Sequence, residues 1–307
     1  METSDPGADF LDAEAEKRPD VKSALDYAEE VHKLWVDGLP AGDKTGWPSL
    51  DKHYTVAPGQ LTIITGWPGS GKSEWTDALM VNLSRQNWKF AICSFENLPV
   101  QIHIAKLMEK IAGKPFGSGP RERIPQDHLN EHLDALSESF RFITQRKEGI
   151  SLERIVESAE GYLNEEGDKR RGLIIDPWNE IEHWRPQGIS ETEYVSQQLS
   201  FIRNWARAHS VHVWIVAHPA KQPRDAKGLL VQPRPDMIAG SQHWWNKADC
   251  ALTVWRDPEH PEMKTVDIIV QKVRFKHIGK PGTVSLEYDR ITGRYSESER
   301  DLYVARG

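Results

Sequence analysis

Apolar residues in this chain fall into two recurring patterns, short uninterrupted runs and longer stretches with helical spacing. The runs at 61–65, 90–95, 140–144, 172–176, 211–217, 251–255, 266–273 and 283–288 predict strands. Between them, periodicity near 3.6 predicts helices over 72–86, 99–112, 151–164 and 192–208. The last helix is preceded by Ser190 and Glu193 at capping-box spacing. Strands apolar on both faces, alternating with helices, imply an α/β fold: a mainly parallel sheet flanked by helices, with ligands at the strand C-terminal ends. The short 279–282 turn predicts that the last two strands form a C-terminal β-hairpin. No internal repeat is present.

The first 45 residues read differently. Residues 1–20 hold seven acidic and two basic side chains and few apolar ones, the composition of a disordered tail or linker remnant. Val21, Leu25, Ala28, Val31 and Trp35 then recur at helical spacing, predicting an amphipathic linker helix over 21–36. Residues 38–46 carry linker and turn residues, so the expected division is 1–45 for tail and helix and 46–307 for the folded domain.

The chemistry begins where the first strand ends. Gly66-Trp67-Pro68-Gly69-Ser70-Gly71-Lys72-Ser73 fits G-x-x-x-x-G-K-[ST] between a strand and a helix. Glycines let backbone N–H groups face a polyphosphate, and the helix N-terminus adds its positive dipole end. Lys72 is then expected on the β/γ-phosphates of ATP or another NTP, and the Ser73 hydroxyl on Mg²⁺. Asp176 closes the run Leu173-Ile174-Ile175 and supplies the acid that orients the metal. Hydrolysis also needs a group to position or deprotonate water. Glu96 and His218 each end an apolar strand and are candidates, although strand-end glutamates and histidines are often structural.

Composition narrows the setting. At 38% hydrophobic and 28% charged, the chain is of ordinary globular type, and no run approaches the roughly 18 apolar residues of a membrane span. The acidic start without an apolar signal segment leads us to expect a cytoplasmic protein. Cys93 and Cys250, the only cysteines, lie in apolar strands and read as buried thiols. A net charge of −7 argues against an overall basic surface but leaves room for a local basic loop. Residues 219–247 form such a segment, with Lys221, Arg224, Lys227, Arg234 and Lys247 and little secondary-structure signal. Trp244 and Trp245 within it could stack on bases, but adjacent tryptophans more often anchor a loop to the core. The 12 tryptophans read first as packing.

The order glycine loop, Glu96, Asp176, His218 and Lys272-Val273-Arg274, followed by Gly282, Leu286-Glu287-Tyr288-Asp289 and Thr292-Gly293, resembles the RecA-fold helicase domain of the DnaB superfamily. It is most similar to ring helicases of the phage T7 primase-helicase and Twinkle type, over roughly residues 21–300. The resemblance implies a RecA-like P-loop core in which Glu96 activates water and His218 senses the γ-phosphate. It implies that Lys272 and Arg274 reach into the neighbouring subunit's nucleotide, and that Arg256 and Tyr288 sandwich the base. It also implies a hexameric ring, single-stranded DNA held by loops in 219–247, and a linker helix laid on the adjacent protomer. A primase domain or protein is an implied partner. The 45 residues ahead of the core hold no four-cysteine zinc motif and no room for a primase module, so priming is not expected of this chain. A RecA- or KaiC-like ATPase that assembles without unwinding is the competing expectation.

Overall fold

Leu61 and Ile63 join one core cluster and Ile64 the other, and all three are fully buried. A strand apolar on both faces must carry helices on both, and that requirement sets the architecture. The computed structural model describes residues 21–144, 149–163, 170–220, 223–226, 228, 230–239, 242–257 and 264–298. Two units separate along the chain, residues 1–40 and residues 41–307.

The first unit holds the predicted linker helix. Ser23 and Asp26 make a reciprocal cap, Ser23 N–H on Asp26 Oδ2 at 2.6 Å, which starts a 3-10 turn over Ala24–Tyr27. It runs into helix α1 (Ala28–Asp37), none of whose side chains is buried. Leu25, Val31 and Trp35 of the predicted apolar stripe are exposed. The predicted tail, 1–20, lies outside the described residues.

The second unit starts a few residues before the position expected from sequence. Asp43 pairs with Val56 in an antiparallel bridge and accepts from Trp88 Nε1 at 2.9 Å, so residues 41–45 belong with the core. Its sheet has the order β3 (Phe140–Phe142), β2 (Lys89–Ser94), β4 (Arg171–Asp176), β5 (Val211–Ala217), β1 (Leu61–Thr65), β6 (Cys250–Trp255), β7 (Thr265–Val273), β8 (Gly282–Tyr288), β9 (Tyr295–Glu297). From β3 to β6 all neighbours are parallel; from β6 to β9 they are antiparallel. The expected hairpin is β7–β8, extended by β9, which is too short to show a period of two in sequence.

One face of the sheet packs α3 (Lys72–Ser84) and α4 (Val100–Ala112), after the short helix α2 (Pro48–Asp51), with Trp47, Trp75, Trp88 and Trp214 in its core. The other face packs α6 (Leu152–Leu163) and α7 (Glu191–His209), with Trp178, Trp205 and Trp244. Most of the tryptophans are therefore packing residues; Trp88, for instance, lies edge-on to Trp214 at 5.9 Å. Helix α5 (Leu129–Ser139) escaped the sequence reading because it buries little, with Leu136 its one buried residue. A last helix, α8 (Gln242–Lys247), precedes β6.

Register aligns the functional ends. Thr65 of β1 stands level with Ala217 of β5 and Thr253 of β6, and Ser94 of β2 is level with Asp176. Residues 66, 96, 176, 218 and 256 therefore emerge along one edge. At the opposite edge, Cys250 faces Val273 and Ala251 faces Lys272. Cys93 and Cys250 are free buried thiols, and burial pushes both up to about 12.

Candidate active site

The glycine loop is shaped by its neighbours as much as by its own sequence. Gly71 takes φ +92° at the N-cap of α3, a left-handed conformation that favours glycine. A Cβ on Gly66 would lie 2.4 Å from the Val254 carbonyl oxygen and 2.6 Å from Ser70 Oγ, so only glycine fits beside β6. Trp67 is buried and anchors the loop by donating Nε1–H to the Val231 carbonyl at 3.0 Å. Lys72 folds under the loop and donates to the Trp67 carbonyl at 3.2 Å. Burial lowers the pKa of this ammonium, and the charges of Glu96 and Asp176 oppose that shift.

Five further residues gather on the same side of the loop. Ser73 Oγ donates to Glu96 Oε2 at 3.3 Å, and Glu96 Oε1 lies 3.1 Å from His218 Nε2. Glu96 lies two residues past the end of β2, which stands three positions across the sheet from β1, so its side chain rather than strand adjacency brings it to the loop. Burial, aided by the Lys72 charge, lowers the His218 pKa and favours a neutral ring, which donates Nε2–H to the carboxylate. Asp176 is buried, and desolvation pushes its carboxyl up to about 7. Asn179 completes the group: its Oδ1 accepts the His218 backbone N–H at 2.9 Å. No spacing rule pointed to Asn179, because the contact spans 39 residues.

On the far side of the loop, Arg256 Cζ stands 4.9 Å from the Tyr288 ring centroid. The Tyr288 and Tyr295 rings lie 4.9 Å apart, and Tyr295 Oη donates to the Gly71 carbonyl at 3.5 Å. The sequence-predicted pair is thus brought to the glycine loop. Tyr295, on the unpredicted strand β9, is the residue the sequence missed.

A nucleotide with its magnesium fits these groups. Ser70 Oγ, Asp176 Oδ1, and Arg256 Nε and Nη2 are buried with no hydrogen-bond partner among the described residues. Orphaned buried polar atoms of this kind each cost about 1–3 kcal/mol, and here they mix one carboxylate with hydroxyl and guanidinium donors. A metal-bound polyphosphate would satisfy both signs at once.

Lys272 and Arg274 are not part of this edge. Lys272 Nζ donates to the Trp245 carbonyl at 2.5 Å, and Arg274 bonds the Asn246 and Ala248 carbonyls and pairs with Asp249 at 2.7 Å. The basic candidates of 219–247 are dispersed. Arg224 donates to the Gly228 carbonyl in a local turn bridged by Leu230. Arg234 pairs with Asp236 and sits 5.7 Å from the Trp245 ring, which Lys272 approaches at 5.8 Å. Lys247 is tied to Ser200 Oγ at 2.7 Å. Lys221 and Lys227 lie outside the described residues. Trp244 is fully buried and packs edge-on to Trp178 at 5.2 Å, which makes it a core anchor and not a base-stacking residue. The segment is nonetheless fastened to the glycine loop and to the sheet: Val231 holds Trp67, and the Pro233 carbonyl accepts from Thr253 and Gln271.

A P-loop running into a helix, on a parallel sheet with the acid two strands away, defines a nucleotide-binding domain of the RecA-like class. Solved structures share this fold. The ATPase domain of G40P superposes with a TM-score of 0.75 at 20% identity, over 91% of this chain and all of that one. A DnaB-like replicative helicase, solved in a study of its interactions with primase, superposes at 0.71 and 20% identity, over 95% of this chain and 71% of that one. The RadB recombinase reaches 0.54 at 19% identity, over 83% of this chain and 99% of that one.

Residues 42–297 match the family described as the DnaB-like helicase C terminal domain, and the chain belongs to that family. The Twinkle homolog protein, chloroplastic/mitochondrial, of Arabidopsis thaliana is 40% identical over 299 residues. The match takes in 94% of this chain but only 41% of that protein's length. That name assigns the relative to organelles, not to the cytoplasm expected above for this chain. Among the described residues, no helix is long and apolar enough to cross a membrane.

Proposed function

We propose that this chain is the motor of a ring-shaped replicative-type DNA helicase, coupling NTP hydrolysis to translocation on single-stranded DNA. The observation that supports this most is the position of Lys272 and Arg274, at the sheet edge opposite their own glycine loop. Cations that serve a γ-phosphate from that edge can do so only in a neighbouring copy. Copies joined head to tail in this way close into a ring, six in the form the resemblance implies.

Within each site, Lys72 and the loop N–H groups bind the phosphates, and Ser73 and Asp176 hold Mg²⁺. The metal supplies neutralisation of charge on the phosphoryl oxygens. Glu96 accepts the proton of the attacking water, and His218 orients that carboxylate through the 3.1 Å contact. Arg256 and Tyr288 stack on the base. Lys221, Arg224, Lys227, Arg234 and Lys247 are the proposed phosphate contacts to DNA, which makes binding sequence-independent and salt-sensitive. The helix over 21–36 is the proposed contact to the adjacent protomer, and a primase domain or protein is a further partner.

Subunit mixing tests the reading. Lys72→Ala and Arg274→Gln should each lower DNA-stimulated hydrolysis by about 10³-fold. An equal mixture of the two should recover activity, because some sites then pair an intact loop with an intact finger. Two folded variants that fail to recover together would overturn the shared site. Strand displacement on a fork with a 5′ tail separates a helicase from a RecA- or KaiC-like ATPase that does not unwind.

A further inference from the structure

Glu74 follows Ser73 in the first turn of α3, where a carboxylate suits the helix dipole without further partners. It nevertheless gathers two lysines from α4. Glu74 Oε1 lies 2.8 Å from Lys106 Nζ, and Oε2 lies 2.6 Å from Lys110 Nζ. The Lys110 side chain is only 2% exposed, so its ammonium has given up most of its water for this carboxylate. Dipole complementarity alone does not call for that desolvation.

Each lysine leads to a different side of the nucleotide site. Lys106 Nζ also donates to Asn97 Oδ1 at 3.0 Å, and Asn97 is the buried neighbour of Glu96, with its own amide on Ser94 Oγ at 3.2 Å. Lys110 packs under the turn that follows Tyr288. A Cβ on Gly293 would come 2.5 Å from Lys110 Nζ and 3.2 Å from Glu74 Oε2, and Arg294 Nε donates to the Lys110 carbonyl at 2.7 Å. Gly293 in turn closes on the Asp289 carbonyl, directly after Tyr288.

We propose that Glu74 is a positioning residue that ties the Glu96 side of the nucleotide site to its Tyr288 side, through Lys106 and Lys110. The inference rests on the hydrolytic reading above.

Steady-state hydrolysis by the whole 307-residue chain, with single-stranded DNA present, separates the two arms. Lys106→Met should lower kcat about tenfold or more while KM stays within about twofold, and Lys106→Arg should restore most of the loss. Gly293→Ala, which intrudes on the other arm, should raise KM about fivefold with kcat nearly unchanged. Glu74→Gln should show both effects. Wild-type kinetics in Glu74→Gln would overturn the inference. So would a Lys106→Met variant that loses kcat and thermal stability together and is not rescued by arginine. Glu96→Gln is the control: if it retains wild-type kcat, the hydrolytic reading itself fails. If Glu96→Gln is inactive while Lys106→Met is normal, only the positioning role fails.

Discussion

Two aspartates are almost completely buried at opposite edges of the same sheet, and the chain treats them in opposite ways. Asp249, at the start of β6, accepts from Arg207 at 3.1 Å, from Arg274 at 2.7 Å and from the Leu61 backbone N–H at 3.1 Å. Asp176, at the end of β4, leaves Oδ1 without a partner among the described residues, within the field of Asp77 and Glu96. One edge is finished by the fold alone. The other carries polar groups whose partners the described residues do not supply, as a binding edge must. His212 in the core follows the finished pattern, held by the Ala57 carbonyl at 2.6 Å and by Thr62 at 2.8 Å, with burial pushing it down to about 3.

The sharpest way to break this comparison is to neutralise each aspartate. Asp249→Asn leaves two guanidinium groups short of a buried charge and should destabilise the domain by about 3–5 kcal/mol. Asp176→Asn should act in the other direction in the nucleotide-free protein. With its carboxyl raised to about 7, Asp176 favours the fold at low pH, and that contribution is lost as pH rises toward and through 7. Removing the charge should therefore return up to about 4 kcal/mol at alkaline pH and little near pH 4. Chemical denaturation at both pH values measures this, and variants shifting the same way at alkaline pH would end the distinction.

A smaller effect concerns binding. On the proposed role of Asp176 the metal would need the ionised carboxylate, so magnesium-dependent nucleotide affinity should fall by up to about tenfold per pH unit below about 7. Titration of a fluorescent nucleotide with and without magnesium reads this slope, and Asp176→Asn should remove it. The smallest expected change is at the base side. Arg256→Ala gives up a cation–π contact worth about 1 kcal/mol, so KM should rise about fivefold with kcat unchanged. A fall in kcat instead would place Arg256 among the groups that stabilise the transferring phosphoryl group.

Much of the unfinished edge was legible in the sequence because each of its members sits at a strand end. Gly66–Ser73, Glu96, Asp176 and His218 all end or follow apolar runs, and a parallel sheet delivers such residues to one side, whereas Arg256 and Tyr288 came only from the resemblance. Tyr295 and Asn179 were not legible, since the first lies on a three-residue strand and the second acts through a contact distant in sequence. The basic segment misled in part. Charge counts marked 219–247 as one basic loop, but Lys247 is tied to α7, Arg234 lies against Trp245, and Trp244 is core.

The sequence by itself determined the alternation of strands and helices, the phosphate loop and the identity of the acids, because periodicity and motif spacing are local properties of the chain. Tertiary structure alone decided which buried charges are satisfied. Whether an aspartate meets two arginines or none depends on residues tens of positions away, and the strand order and register that bring Arg207 and Arg274 to Asp249 bring no such partner to Asp176.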